Sequence, residues 1–197
     1  ILVTGAKGFI GKNLTTELKS LGHNVFEYDI DSAEQDLKYY CSKAEFIFHL
    51  AGINRPKKES EFMEGNCDFT TTLINNLKDA GNKCPVLMSS SIQAELNNPY
   101  GESKKAGELV LFDYAKTNKV KVFVYRLPNV FGKWCKPNYN CAIATFCYNI
   151  AHNKPITITD RAISMTMVYI DDVVKEFISK LSDCSSDTEK ILSVKTT

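Results

Sequence analysis

Apolar runs and amphipathic stretches alternate along this chain. Ile1-Leu2-Val3, Asn24 to Tyr28, Glu45 to Leu50, Pro85 to Met88 and Val120 to Tyr125 are rich in apolar, β-branched or aromatic residues, as expected of strands. Leu14, Leu18 and Leu21 fall on one face of a helix after the first strand. Asp171-Asp172 ahead of Val173, Val174, Phe177, Ile178 and Leu181 predicts an amphipathic helix capped at its amino end. From Asp183 to Lys190 the chain turns polar and is expected to form a mobile tail. Strand and helix in alternation predict an α/β fold, a doubly wound parallel sheet of Rossmann-like type.

The first strand runs straight into Thr4-Gly5-Ala6-Lys7-Gly8-Phe9-Ile10-Gly11 and then into a helix. Gly5, Gly8 and Gly11 are spaced G-x-x-G-x-x-G rather than G-x-G-x-x-G, but the physical need is shared: a tight turn, backbone approach to a pyrophosphate, and close helix-sheet packing. A structural turn is the plainer alternative. Asp29 ends the second strand about 20 residues further on, where a carboxylate accepts ribose hydroxyls. Asp31 competes for that role, or caps the helix that follows. Either carboxylate repels a 2′-phosphate, so charge favours NADH over NADPH unless Lys7 compensates. His49-Leu50-Ala51-Gly52 closes the third strand with small residues, which let a cofactor pass close to the backbone.

Between Ser89 and Lys104 lie the parts of a proton-transfer site. Tyr100 and Lys104 are spaced i, i+4, so on a helix they share a face, and a nearby ammonium favours the phenolate of a tyrosine whose ordinary pKa is about 10. Ser91 follows an apolar run and sits at a strand's carboxyl end, where ligands bind in open α/β sheets. A solvated helix face and a serine-rich turn are the alternative. Beyond Gly132, a loop rich in Asn, Tyr, Trp and Lys precedes the apolar segment Ala142 to Ile150. It offers aromatic faces, amides and cations suited to a sugar nucleotide, or is an ordinary surface loop over a core helix.

With 197 residues, 44% of them hydrophobic, the chain can bury one sizeable core. A formal net charge of +1 argues against nucleic acid or a membrane surface held by bulk charge. Seven cysteines without a C-x-x-C pair point to reduced thiols in the cytoplasm. Three scattered histidines make a metal site improbable, and no segment reaches the roughly 20 apolar residues of a membrane span.

The glycine turn, His49 to Gly52, Asn66, the serine strand end, Tyr100-x-x-x-Lys104, Arg126-Leu127-Pro128-Asn129-Val130-Phe131-Gly132 and Tyr169-Ile170-Asp171-Asp172-Val173 occur in an order that resembles the extended short-chain dehydrogenases/reductases, the NAD-dependent epimerase/dehydratase family. Asn54-Arg55-Pro56, Ser89 to Ala94, Asn98 to Lys104 and Gly132 to Asn140 are most similar to the amino-terminal reductase domain of CapF-type capsule enzymes and their O-antigen relatives.

The resemblance implies an NAD(P)H-dependent reductase of a UDP-linked 4-keto-6-deoxy-N-acetylhexosamine, on the route to N-acetyl-L-fucosamine. Ser91, Tyr100 and Lys104 would be catalytic. The cofactor would meet Gly5, Lys7, Gly8, Phe9, Ile10, Gly11, Asp29, Leu50, Ala51, Gly52, Tyr100, Lys104 and Leu127. Asn54, Arg55, Ser90, Ser91, Asn129, Lys133, Lys136 and Asn140 would meet the substrate. Residues 1–132 would form the NAD(P)-binding core, 133–168 a small substrate-binding segment, 169–182 a helix returning to the core and 183–197 a tail. The family precedent implies NADPH, against the charge argument from Asp29. It also implies a carboxyl-terminal cupin domain beyond this chain, and a homo-oligomer is expected. A nucleotide-sugar 4-epimerase with retained NAD and a non-catalytic NAD(P)-binding protein are the alternatives. A 4,6-dehydratase is disfavoured because Ile92 and Gln93 follow Ser91 and supply no carboxylate.

Overall fold

The computed structural model describes residues 1–158, 160, 162–183 and 189–194. In chain order the elements are β1 (Leu2–Thr4), α1 (Phe9–Ser20), β2 (Phe26–Tyr28), α2 (Glu34–Lys43), β3 (Ile47–His49), α3 (Ser60–Met63), α4 (Phe69–Asp79), β4 (Val86–Ser91), α5 (Pro99–Asn118), β5 (Val122–Leu127), β6 (Asn129–Phe131), α6 (Ala142–Ala151), β7 (Met167–Tyr169), α7 (Ile170–Ser179) and β8 (Glu189–Leu192). A π-helical turn, Glu64–Asp68, joins α3 to α4, and a 3-10 turn, Ile92–Glu95, follows β4.

Six strands form one parallel sheet in the order β2-β1-β3-β4-β5-β8. Alternate side chains of each strand serve two cores, which is why the strand sequences are apolar throughout. Leu2, Ile47, Val86, Met88 and Val122 pack toward Leu37, Leu73, Leu77, Leu111 and Tyr114 on α2, α4 and α5. Their neighbours Val3, Phe48, Leu87, Phe123 and Tyr125 pack toward Leu14, Leu18, Val173 and Phe177 on α1 and α7. This is the expected doubly wound sheet. Chain order reverses direction between β1 and β3, so a crevice opens at their carboxyl ends.

Three local expectations change. The helix at 170 is not capped by Asp171 or Asp172: Tyr169 occupies the cap without a side-chain bond, and both carboxylates lie in the first turn, where they complement the helix dipole. Nor does Asp31 cap α2, which begins after Ala33. Of the expected polar tail, 184–188 and 195–197 lie outside the described residues, but Glu189–Leu192 adds an edge strand to the sheet, parallel to β5. Among the described residues no helix is long and apolar enough to cross a membrane, and no cluster of His, Cys, Asp or Glu could hold a metal ion.

Candidate active site

At the carboxyl end of β1 the chain must turn within three residues. Gly5 does so with φ +69°, and a Cβ there would lie 2.7 Å from Ala51 N. A Cβ at Gly11 would lie 2.1 Å from Gly5 O, so the helix can approach the turn only without a side chain. The amino end of α1 carries no side-chain cap, leaving its first N–H groups for an anion. A diphosphate fits this end. Asp29 follows β2 beside the turn: its Oδ2 accepts from Lys7 N (2.7 Å) and its Oδ1 from Ile30 N. The Lys7 ammonium pairs with the Asp31 carboxylate, which raises the lysine pKa and lowers that of the aspartate.

From this turn a cleft of about 870 Å³ runs across the strand ends, lined by Phe9, Ile10, Leu50, Gly52, Ser89, Ser90, Ser91, Tyr100, Lys104 and Leu127, and further out by Asn54, Arg55, Asn129, Tyr139 and Asn140. Ser91 is the last residue of β4, and its Oγ accepts from Gln93 N at 3.2 Å. Tyr100 and Lys104 lie in the first turns of α5, whose start is fixed by Asn98 accepting from Gly101 N and by Pro99 at the first helical position.

The protonation pattern differs from the expected one. Burial pushes the Tyr100 phenol up, and only the Ser91 hydroxyl opposes this. Lys104 does not lower it. The lysine is buried, its Nζ donates to Ser89 O at 2.9 Å, and burial takes its own pKa down to about 8, against the pull of Glu108. Lys104 is therefore directed at the strand backbone rather than at the phenol.

Buried polar residues brace the cleft floor. Asn66, in the π-helical turn, accepts from Ile53 N (3.0 Å) and donates to Ile53 O and Ser103 Oγ. Such turns often mark functional sites. His49 bridges Thr4 Oγ1 (2.8 Å) and Thr70 Oγ1 (2.9 Å), tying β1 and β3 to α4. Its burial, aided by the Lys104 charge, lowers its pKa to about 3, so it stays neutral.

At the mouth, two segments far apart in sequence meet. Arg55 Nε donates to Asn140 Oδ1 at 2.6 Å, with the guanidinium over the Tyr139 ring, and Tyr139 Oη donates to Asn54 Oδ1 at 3.2 Å. The expected residues are thus only partly gathered. Ser90 lines the cleft, but its hydroxyl donates inward to Glu108 and is not offered to a ligand. Lys133 and Lys136 do not line it: one lies over the Trp134 ring and the other over Tyr139. Gly5, Lys7, Gly8, Gly11, Asp29 and Ala51 belong to the turn and its rim. Sequence reasoning passed over Asn66 and Tyr139 as site residues, although both stood in quoted motifs, and Glu108, which the i, i+4 step from Lys104 would have singled out.

Comparison with known proteins agrees with this architecture. A reductase of Pseudomonas aeruginosa described as UDP-2-acetamido-2,6-beta-L-arabino-hexul-4-ose reductase is 45% identical over 191 residues, covering 94% of this chain and 51% of its own length. The crystal structure of the capsular polysaccharide assembling protein CapF from Staphylococcus aureus is 44% identical with a TM-score of 0.87, covering all of this chain and 54% of that one. The chain therefore spans about half the length of these relatives. A UDP-glucuronic acid 4-epimerase from Bacillus cereus, solved with UDP-glucuronic acid and NAD, shares the fold at 20% identity and a TM-score of 0.81, covering 98% of this chain and 76% of that one. The family pattern described as NAD dependent epimerase/dehydratase matches residues 1–193, and with the glycine turn at the sheet's switch point and the Ser91, Tyr100 and Lys104 constellation beside it, the chain belongs to that family.

Proposed function

We propose that the chain is the reductase part of an enzyme that reduces the C4 ketone of a UDP-linked 4-keto-6-deoxy-N-acetylhexosamine, on the route to N-acetyl-L-fucosamine. The observation that carries this reading is the convergence of Ser91, Tyr100 and Lys104 on one cleft wall beside the glycine turn. The 45% identical reductase supports the substrate class.

Gly5, Gly8 and Gly11 with the amino end of α1 would hold the cofactor pyrophosphate, and Asp29 the adenosine ribose. A reduced nicotinamide, when bound, supplies the hydride for C4. The remaining chemistry belongs to the chain. Tyr100 donates its proton to the C4 oxygen, and because burial keeps the phenol protonated, the donor is in the correct state at neutral pH. Ser91 Oγ orients the carbonyl oxygen and favours the phenolate that remains. Lys104 then turns from Ser89 O toward the ribose and the phenol, restoring the proton. Asn54, Arg55, Tyr139 and Asn140 face the sugar nucleotide at the mouth, and Asn129 borders it.

Tyr100→Phe in the full-length protein tests the assignment. Turnover should fall by about a hundredfold or more with cofactor affinity nearly unchanged. Activity within a few-fold of wild type would refute it. Stoichiometric oxidation of the reduced cofactor separates a reductase from an epimerase, which consumes none.

Within this reading the cofactor preference is modestly toward NADH, about five- to tenfold. Two carboxylates and one ammonium surround the ribose edge, and Asp31 draws Lys7 away from a 2′-phosphate. Titration of both reduced cofactors onto wild type, Asp29→Ala and Lys7→Ala checks this. Tighter NADPH binding by wild type, lost in Lys7→Ala, would reverse it.

A further inference from the structure

Glu108 is a buried carboxylate that the mechanism above leaves unused. It lies one turn beyond Lys104 on α5 and is 1% exposed. Three elements meet on it. Ser90 of β4 donates its hydroxyl to Oε1, and Arg126 of β5 closes a fork, Nε to Oε1 at 3.0 Å and Nη2 to Oε2 at 2.6 Å. The outer Nη1 of Arg126 donates to Glu95, whose side chain is 73% exposed.

The position of this clamp is informative. Ser90 stands between Ser89, whose carbonyl accepts from Lys104 Nζ, and Ser91, whose hydroxyl faces Tyr100. In a strand, alternate side chains point to opposite faces, so pinning Ser90 inward fixes the outward aim of Ser91 and the register of the Ser89 carbonyl. A bare ion pair between α5 and β5 needs no serine. A buried carboxylate one turn from a buried ammonium also biases its charge through space, although the ammonium itself bonds to Ser89 O.

We propose that Glu108 is a positioning residue of this site: held by Ser90 and Arg126, its carboxylate sets the serine strand end and places a counter-charge one turn from the Lys104 ammonium. The inference rests on the reductase reading for its kinetic consequence but not for its physical one. The charged and titratable groups around Lys104 are few. Tyr100 and Glu108 lie on α5, His49 on β3 is neutral, Arg126 on β5 is tied to Glu108, and Glu95 lies beyond it; Glu64 and Asp68 of the π-helical turn are exposed. Burial lowers the lysine pKa to about 8 even with Glu108 pulling it up, and no other group among these raises it.

The test follows the Lys104 ammonium by nitrogen-15 NMR against pH in the full-length protein, with its signal assigned by its loss in Lys104→Arg. Glu108→Gln keeps one acceptor oxygen, for Ser90 Oγ and Arg126 Nε, loses the one that takes Arg126 Nη2, and removes the charge. The Lys104 midpoint should then fall by about one pH unit or more. Arg126→Gln leaves the carboxylate without its cation and should move the midpoint upward. Glu95→Gln, at the exposed end, should leave it in place. In kcat/KM, the alkaline limb should move down in Glu108→Gln and up in Arg126→Gln, a pair of opposite shifts that loss of structure does not produce. If one variant does not fold, the sign in the other still decides. An unmoved Lys104 midpoint in the folded variants would overturn the proposal, whether or not the protein reduces the sugar. Moved midpoints with no reduction by wild type would leave the proposal standing and overturn the reductase reading instead.

Discussion

At the glycine-turn end of the cleft the walls are main chain: Ala51 N against Gly5, Gly5 O against Gly11, and beneath them His49 buried between Thr4 and Thr70. At the mouth, Asn54, Arg55, Tyr139 and Asn140 meet only through exposed side chains, and none of the residues of α6 beside them is buried. Main-chain contacts in a packed interior admit few alternatives, whereas exposed side-chain pairs each contribute little and can re-form. The turn end is thus preorganised for a ligand common to the family. The mouth, by contrast, where the sugar would be selected on the reductase reading, is held by contacts that can change at little cost to the fold.

The largest effect should appear where burial holds a titratable group neutral. His49 has a folded pKa near 3, below its ordinary 6.5. Between those values the unfolded chain binds a proton that the folded chain does not, so stability rises with pH across this window and is lost as pH falls. Its share of the slope is up to about 1.4 kcal/mol per pH unit. His49→Gln keeps a donor and an acceptor but does not titrate. Urea unfolding at several pH values should give a flatter acid limb for the variant, and an equal slope would show that His49 is not the buried neutral brace described. Next in size, Gly11→Ala presses a methyl onto Gly5 O and should cost about 3 kcal/mol by denaturation. Cofactor affinity should fall further than stability alone requires. A variant as stable as wild type with unchanged affinity would show that the turn end is no more rigid than the mouth.

The same contrast explains what could be read from the sequence. The glycine turn is local, so G-x-x-G-x-x-G between a strand and a helix sufficed, and Tyr100 with Lys104 needed only the period of a helix. Ser91 followed from the apolar run that ends on it. The direction of Lys104 was not legible, because the carbonyl it meets belongs to a strand 15 positions earlier. Nor was the inward turn of Ser90, which depends on Glu108 and Arg126 arriving from two other elements. The mouth pairs are 85 positions apart, and no period or spacing joins them. Strand β8 escaped notice because Glu189 and Lys190 break the apolar pattern, which an edge strand tolerates and a central one does not.

The smallest effect on stability, and the one most specific to the mouth, concerns Arg55. Its guanidinium lies 5.2 Å from the Tyr139 ring centroid and donates to Asn140, bridging the segment after β3 to the loop before α6. An exposed bridge of this kind is worth little to the fold, so Arg55→Ala should change unfolding free energy by less than about 0.5 kcal/mol. Without it the two segments must be ordered by the substrate, and that ordering is subtracted from binding. KM for the UDP-sugar should rise about tenfold with kcat within a few-fold, because Ser91, Tyr100 and Lys104 stand on β4 and α5 and do not rest on Arg55. Equal losses in kcat and kcat/KM would instead place Arg55 against the reacting centre. The division of the cleft into a rigid turn and a tunable mouth would then be drawn in the wrong place.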